Sequence, residues 1–176
     1  MSKSNKCKYA DLCSCVDNIP IFSQDWWLNS VTIDGDTDWD VCIVEKNNRI
    51  VGALPYVFKK KYGKLIIFQP LLTQSLFPWI QCEPGNYTKT LSRRKKVLSE
   101  LIKAIPKNLF FYQEYHHSLT DWQPFFWKDY KQATNYTYIL DLKNTVDDLW
   151  SRLSQNIKSD IKKSGTISVC QISYLS

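Results

Sequence analysis

The sequence predicts an α/β (α+β) fold in which helices flank a central, mostly antiparallel mixed sheet. Two observations favour this class: the first half carries short apolar runs separated by turn residues, and the second half alternates strand and helix patterns. The predicted order is helix, three strands, helix, strand, helix, strand, helix. With 176 residues, of which 44% are apolar and 23% charged, the composition is that of one compact globular unit.

The first predicted elements are a short helix and a meander. Residues 24–31 place two tryptophans and other apolar side chains at helical spacing. Residues 39–68 predict three antiparallel strands joined by turns at residues 47–48 and at Gly63. Because Pro55 has no backbone N–H to donate, we expect the second strand to be bulged or to end near it.

The next predicted elements begin with a loop. Residues 70–87 are rich in proline and aromatic residues and have no regular period, which predicts a buried loop that lines a pocket. Residues 89–105 carry an apolar face and are followed by a proline, so they predict a helix. Residues 108–113 predict a strand, residues 120–127 a short helix capped by a threonine or an aspartate, and residues 134–142 another strand.

The last predicted helix covers residues 145–164. Thr145 is followed three residues later by Asp148, which resembles a capping box with Asp in place of Glu. Gly165 suits the left-handed cap at the other end. The apolar stripe of this helix consists of Val146, Leu149, Trp150, Leu153, Ile157 and Ile161.

Charge and hydropathy exclude several classes of protein. No apolar run approaches the roughly 20 residues that cross a bilayer, so no membrane span is predicted. The polar N-terminus lacks the apolar core of a secretory signal, which predicts a cytoplasmic protein whose six cysteines are free thiols. The net charge of +6 comes without a nucleic-acid-binding motif, so we expect an anionic substrate rather than DNA.

Two stretches partly match the ligand spacing of metal sites. A zinc site from Cys7, Cys13 and Cys15 lacks the fourth ligand and the paired spacing of structural zinc sites. Residues 34–45 carry the carboxylate spacing of an EF-hand, yet Trp39 occupies the sixth position, where that loop needs glycine. We therefore expect an acidic, solvated loop that precedes a strand.

The aromatic block at residues 113–127 contains the candidates for substrate contact. Its adjacent histidines, His116 and His117, lie in an extended link, so their side chains are expected on opposite sides and at most one faces a pocket. That histidine acts on substrate or has a packing and hydrogen-bonding role. The isolated glycines form no phosphate-binding loop, so no cofactor is expected on this chain alone.

Five segments in the same order carry a resemblance to a known family. They are residues 19–31 (IPIFSQDWWLNSV), 39–63 (WDVCIVEKNNRIVGALPYVFKKKYG), 69–74 (QPLLTQ), 115–142 (YHHSLTDWQPFFWKDYKQATNYTYILDL) and 149–164 (LWSRLSQNIKSDIKKS). Together they resemble the N-terminal half of GNAT-superfamily N-acyltransferases related to the FemAB aminoacyltransferases of peptidoglycan bridge synthesis. Lys158 and Lys162 stand where the family usually has Arg, and Ser164 where it has Ala, so a bidentate fork is lost.

The resemblance implies a single GNAT-like domain at residues 19–164, after an N-terminal segment (1–18) and before an atypical tail (165–176). It implies a substrate cleft shared with a second GNAT-like domain that binds the donor, acyl-CoA or aminoacyl-tRNA. That second domain is expected to be missing, and the tail suggests a truncated or frameshifted product or a fragment. The expected substrate contacts are Trp79, Gln113, His116, Trp122, Trp127, Lys158 and Lys162.

The implied function is transfer of an acetyl or aminoacyl group to an amine of a cell-envelope or polysaccharide precursor, inactive without the partner domain. The alternative is a non-catalytic binding or vestigial domain that self-associates through its exposed half-interface. For Lys158 and Lys162 two interpretations stay open. They complement the dipole of the last helix, or they form an anion site with a following domain.

Overall fold

The computed structural model describes residues 4–82, 84–137, 139 and 143–164. The chain divides into two compact units, Met1–Gln132 and Ala133–Ser176, where the composition predicts one. Residues 131–137, at this boundary, are exposed and have no regular structure, as is usual where one compact unit ends.

The first unit is an α+β fold with an open mixed sheet flanked by helices. Its elements are α1 (Asn5–Cys15), a 3-10 turn (Ile21–Ser23), α2 (Asp25–Val31), β1 (Asp38–Lys46), β2 (Arg49–Lys61), β3 (Lys64–Phe68), β4 (Trp79–Ile80), α3 (Tyr87–Ala104), β5 (Asn108–Phe111) and α4 (Gln123–Phe126). The sheet order is β1-β2-β3-β5, and β4 also pairs with β2. Among the strand pairs of the described residues, β3–β5 is parallel and the other three are antiparallel, with α3 in the connection between β3 and β5. The predicted fold class, the meander and the helix before it are confirmed.

Both predicted turns of the meander are confirmed by the backbone. Asn47 and Asn48 have φ values of 50° and 60°, which the right-handed twist of a two-residue hairpin requires. Tyr62 and Gly63 repeat this left-handed pair with φ values of 50° and 70°. Asparagine and glycine tolerate this conformation, so the chain reverses at these positions without a long loop.

The sheet carries a hydrophobic core on each face. Side chains of β1 and β2 alternate between the faces, so Val41 and Val57 pack with α1 and α2 while Cys42 and Leu54 pack with α3. Leu101 of α3 is fully buried on its side. Two apolar layers therefore hold helices against both faces of one sheet.

The helix α1 was not predicted, although its spacing carries the signal. Ser4 caps it by accepting the Cys7 N–H at 3.3 Å. Tyr9 is fully buried, and its hydroxyl donates to the Ser23 carbonyl at 2.7 Å. The side chains that meet the sheet follow i, i+3, i+4, i+7 spacing: Tyr9, Leu12, Cys13 and Val16.

The expectation for Pro55 was wrong. Strand β2 continues through Pro55, and the irregularity in its pairing with β1 falls between Val44 and Glu45. Strand β4 pairs with residues 52–53 of β2 and strand β3 with residues 57–61, which leaves an interruption between them on one edge. The N and O atoms of one strand residue point to the same side of the strand. The Pro55 nitrogen, which has no hydrogen to donate, therefore faces the interruption, where no neighbouring strand needs a donor.

The structure differs from three further predictions, two in this unit and one just beyond its end. The loop at 70–87 is mixed, because Leu71 and Leu72 are 85% and 87% exposed while Leu76 is buried. The short helix α4 covers fewer residues than predicted, and Asp121, which precedes it, accepts the Gln123 N–H at 3.1 Å. Residues 134–137 and 139 form no strand, and the rest of the predicted strand, 138 and 140–142, lies outside the described residues.

Residues 143–164 of the second unit form two helices, α5 (Val146–Arg152) and α6 (Gln155–Ser164), where the pattern predicts one. The predicted cap is confirmed, since the Thr145 hydroxyl oxygen accepts the Asp148 N–H at 3.2 Å and donates to the Asp148 carboxylate at 2.6 Å. Leu153 adopts an extended backbone and ends α5, so the predicted stripe is split. Gly165 lies outside the described residues. In the part of the chain that the structure covers, no helix combines the length and apolarity that a membrane span needs.

Candidate functional site

The candidate site lies where the sheet is interrupted beside β2. Residues 69–78 leave the sheet after β3 and return at β4, and residues 112–116 continue from β5 alongside them. Leu76 donates its N–H to the Glu114 carbonyl at 2.7 Å and accepts the His116 N–H at 2.8 Å. We call this region, residues 54–56, 69–78 and 112–118, the sheet opening. The sheet opening contains Gln113 and His116, which the sequence predicts as substrate contacts, and Tyr115, which lies between them in sequence.

Gln113 bridges the interruption with its side chain. Its Nε2 donates to the Pro55 carbonyl at 3.0 Å, and its Oε1 accepts the Tyr115 hydroxyl at 2.9 Å. Burial raises the pKa of Tyr115 well above its ordinary value, so the phenol stays protonated and acts as a donor. Because both ends of the Gln113 amide are held, this side chain positions the opening.

His116 presents a hydrogen-bond donor rather than a base. Its Nδ1 accepts the Ser118 N–H at 3.3 Å and lies 2.7 Å from the Ser118 Oγ. A backbone N–H can only donate, so the proton of the neutral ring sits on Nε2. Burial, followed by the neighbouring His117, lowers the pKa of His116 and favours this neutral form. Among the described residues Nε2 has no partner.

The expectation that the two histidines point to opposite sides was wrong. The ring centroids of His116 and His117 lie 4.0 Å apart. The cause is a turn, because Leu119 donates its N–H to the His116 carbonyl at 2.9 Å and the extended backbone ends there. His117 therefore stacks on His116.

The three predicted tryptophans do not form one wall. Trp79 is buried in the core on the α1 and α2 face, where its Nε1 donates to Asn18 Oδ1 at 2.9 Å. Trp122 packs against the core on the α3 face. Trp127 is 54% exposed, and Lys95 Nζ lies 5.9 Å from its ring centroid. The buried position leaves Trp79 little surface for substrate, while Trp127 keeps an open ring face.

The two predicted lysines lie in the second unit. Lys158 on α6 donates to the Ser151 carbonyl of α5 at 3.2 Å, which satisfies a carbonyl in the last turn of α5. Lys162 is exposed in the last turn of α6, where a positive charge complements the helix dipole. Their contact with an anionic substrate stays a prediction.

Sequence reasoning missed a charged contact on α3. Lys95 donates to Gln123 Oε1 at 2.6 Å and lies 3.3 Å from the Asp121 carboxylate. The basic run at residues 93–96 was visible, but only the fold shows that Lys95 turns toward α4. In the acidic stretch before and along β1, Asp38 pairs with a lysine of α1. No group of three His, Cys, Asp or Glu within the described ranges could hold a metal ion.

No protein-family model matches this sequence, and neither a curated protein nor a solved structure matches it. The sheet opening offers the Nε2–H of His116 to a polar ligand, while the Gln113 amide is held by Pro55 and Tyr115. A fixed N–H donor binds and orients a carbonyl or hydroxyl oxygen, and it stabilises negative charge that develops on it.

Proposed function

We propose that this chain is the substrate-side domain of an N-acyltransferase. It binds the amine-bearing acceptor, a cell-envelope or polysaccharide precursor, while a second GNAT-like domain holds the acyl-CoA or aminoacyl-tRNA donor. The observation that carries the proposal is the His116 ring, whose Nδ1 is fixed by Ser118 and whose Nε2–H has no partner among the described residues.

The sheet supports this proposal. The resemblance implies a mostly antiparallel mixed sheet, and strands β1 to β3 form an antiparallel meander beside the parallel strand β5. The segment after β5 carries Gln113 and His116, two of the residues that the resemblance assigns to substrate. Gln113 hydrogen-bonds to β2 at its interrupted edge, and His116 hydrogen-bonds to Leu76 in the segment between β3 and β4.

The chemistry of the opening suits acceptor binding and orientation. A neutral histidine donor, held beside the fixed Gln113 amide, recognises a hydroxyl or carbonyl oxygen next to the reacting amine. Positioning an amine near an activated acyl group converts a bimolecular step into an effectively intramolecular one. No proton needs to be taken by His116 for this role.

A binding titration tests the proposal. The ¹⁵N-labelled full chain is titrated with two primary-amine probes, glucosamine and a lysine-containing peptide, and NMR shifts are followed. We expect shifts at residues 113–118 and about tenfold weaker binding in His116→Phe, the loss of one hydrogen bond. His116→Gln, which keeps a side-chain N–H, should bind better than His116→Phe, and His117→Phe serves as the neighbouring control.

Two outcomes would contradict the proposal. Wild-type affinity in His116→Phe would remove His116 from acceptor binding, and the absence of shifts at the opening with both probes would remove the opening itself. A third measurement addresses the donor: mixed with acetyl-CoA and either probe, the chain alone should transfer no acetyl group. Transfer would show that the donor is held here.

A non-catalytic binding domain is the second candidate, and a different surface favours it. Strand β5 lies at an edge of the sheet and exposes Leu109 at 63% and Phe110 at 54%. Tyr112, directly after the strand, is 46% exposed. An apolar edge strand without charged side chains is a template for pairing with another chain. A monomer at every concentration in analytical ultracentrifugation would count against this candidate.

A further inference from the structure

A pocket of about 100 Å³ lies between α3, β4 and residues 119–121 and shares no lining residue with the sheet opening. Four of its lining residues are apolar: Ile80, Leu91, Leu98 and Leu119. Arg94, Tyr87 and Thr120 add polar side chains to the lining. A concave site lined by apolar side chains and a few polar groups is the usual form of a ligand site.

Arg94 is the group that selects the ligand. Its side chain is exposed and has no hydrogen-bond or ion-pair partner in the described part of the chain. A guanidinium presents parallel N–H donors that match the two oxygens of a carboxylate. The Tyr87 and Thr120 side-chain hydroxyls likewise have no protein partner within the described ranges, and both residues are exposed, so these hydroxyls can exchange water for a bound molecule.

The remaining charges set the charge of the ligand. Lys95 also lines the pocket, but its ammonium is paired with the Asp121 carboxylate at 3.3 Å. The pocket therefore carries one uncompensated positive charge, that of Arg94. A monoanion balances it, while a dianion such as phosphate places its second charge near Asp121, where like charges repel.

We propose that this pocket binds a small monocarboxylate with a short apolar chain. The carboxylate pairs with Arg94, and the chain lies against the leucine and isoleucine side chains. A cavity of about 150 Å³ accommodates the six carbons of benzene, so about 100 Å³ suits an apolar chain of roughly three or four carbons, with the carboxylate at Arg94. This inference does not rest on the proposed function, because it uses neither Gln113 nor His116.

Butyrate is the probe, and its neutral isostere butyramide is the control ligand. Titration of the full ¹⁵N-labelled chain should give saturable shifts along α3 and at residues 119–121, with a Kd on the order of millimolar. Arg94→Gln should abolish saturable binding, and Arg94→Lys, which loses the fork, should weaken it about five- to tenfold. Lys96→Gln removes one exposed charge from the same helix outside the pocket and should leave Kd unchanged.

A second pair of measurements tests the charge argument. The wild type should bind butyrate more tightly than inorganic phosphate, and Asp121→Asn should strengthen phosphate binding severalfold by removing the repelling carboxylate. Arg94 has no partner within the described ranges, so its variants should fold, which far-UV circular dichroism checks.

Several results would overturn the inference. Equal binding of butyramide and butyrate would show that the charge is not recognised. Wild-type affinity in Arg94→Gln would place the anion elsewhere, and tighter binding of phosphate than butyrate to the wild type would make the ligand a dianion. If a peptide with a free C-terminal carboxylate binds and butyrate does not, the pocket accepts a chain end and the small-acid assignment is wrong.

Discussion

Gly52 is the position at which the packing of α3 on the sheet is most sharply testable. It lies on β2, opposite Val44 of β1 and Ile80 of β4. A Cβ atom added there would lie 2.5 Å from Val97 Cγ1 and 3.1 Å from Leu101 Cδ1. Real Cβ atoms essentially never lie as close as 2.5 Å to another atom, and 3.1 Å is tighter than most real contacts, so alanine at this position forces α3 to shift or its side chains to leave their rotamers.

Two opposing effects set the magnitude for Gly52→Ala. Alanine in a strand is favoured over glycine by about 0.5–1 kcal/mol, because the unfolded chain loses less entropy. Overpacking a core costs about 1–3 kcal/mol, and Val97 is 2% exposed, so it has no open space to move into. We expect a net loss of about 1–2 kcal/mol in the free energy of unfolding.

Urea unfolding followed by tryptophan fluorescence measures this loss. With a slope of about 2 kcal/mol per molar urea, in the middle of the usual range, the midpoint should fall by roughly 0.5–1 M. Gly85→Ala is the matched control, because its added Cβ meets only the Thr90 hydroxyl, at 3.4 Å. In a double-mutant cycle, Val97→Ala should recover about 1 kcal/mol of the Gly52→Ala loss. Equal stability of Gly52→Ala and the wild type, or strict additivity in the cycle, would refute the steric argument.

Three further predictions concern capping, a buried hydrogen bond and pH. Asn18→Ala leaves the buried Trp79 N–H unpaired and should cost about 1–3 kcal/mol in urea unfolding, whereas Asn18→Asp should keep an acceptor and most of the stability. Thr145→Ala removes the cap of α5 and should cost that helix about 1 kcal/mol, read as faster amide exchange in its first turn; unchanged exchange would refute the capping role. The pKa of His116 is lowered from 6.5 on folding, so the unfolded chain takes up this proton first as the pH falls. Below about pH 6.5 the free energy of unfolding should therefore fall more in the wild type than in His116→Phe. An equal fall in both proteins between pH 7 and pH 5 would contradict the lowered pKa.

Local pattern was sufficient wherever neighbouring residues decide the structure. The asparagine turn at residues 47–48 and the apolar face of α3 follow from backbone preference and helical period, and both were predicted. The helix α1 follows the same rule. Its apolar side chains have helical spacing, but the polar residues around them outnumber them. Only the packing against the sheet identifies these side chains as a buried face.

Other errors came from contacts between distant parts of the chain. Nothing near Pro55 in sequence shows that its strand edge is interrupted, because Gln113 supplies the partner for its carbonyl. Trp79 and Trp122 were grouped by residue type, and only the alternation of faces separates them. The candidate site was therefore predicted at Gln113 and His116, while the Arg94 pocket required the packing of α3 beside residues 119–121.

The gap between β3 and β4 along one edge of β2 determines where the chain tolerates insertions. Strands β3 and β4 are each anchored on β2, so the residues between them begin and end at fixed places. Leu71 and Leu72 lie exposed in a turn there, and closing a flexible loop of twice the length costs only about 0.6 kcal/mol more. Insertions at this turn, such as an epitope or a fluorescent tag, would lengthen the chain without altering the register of the sheet.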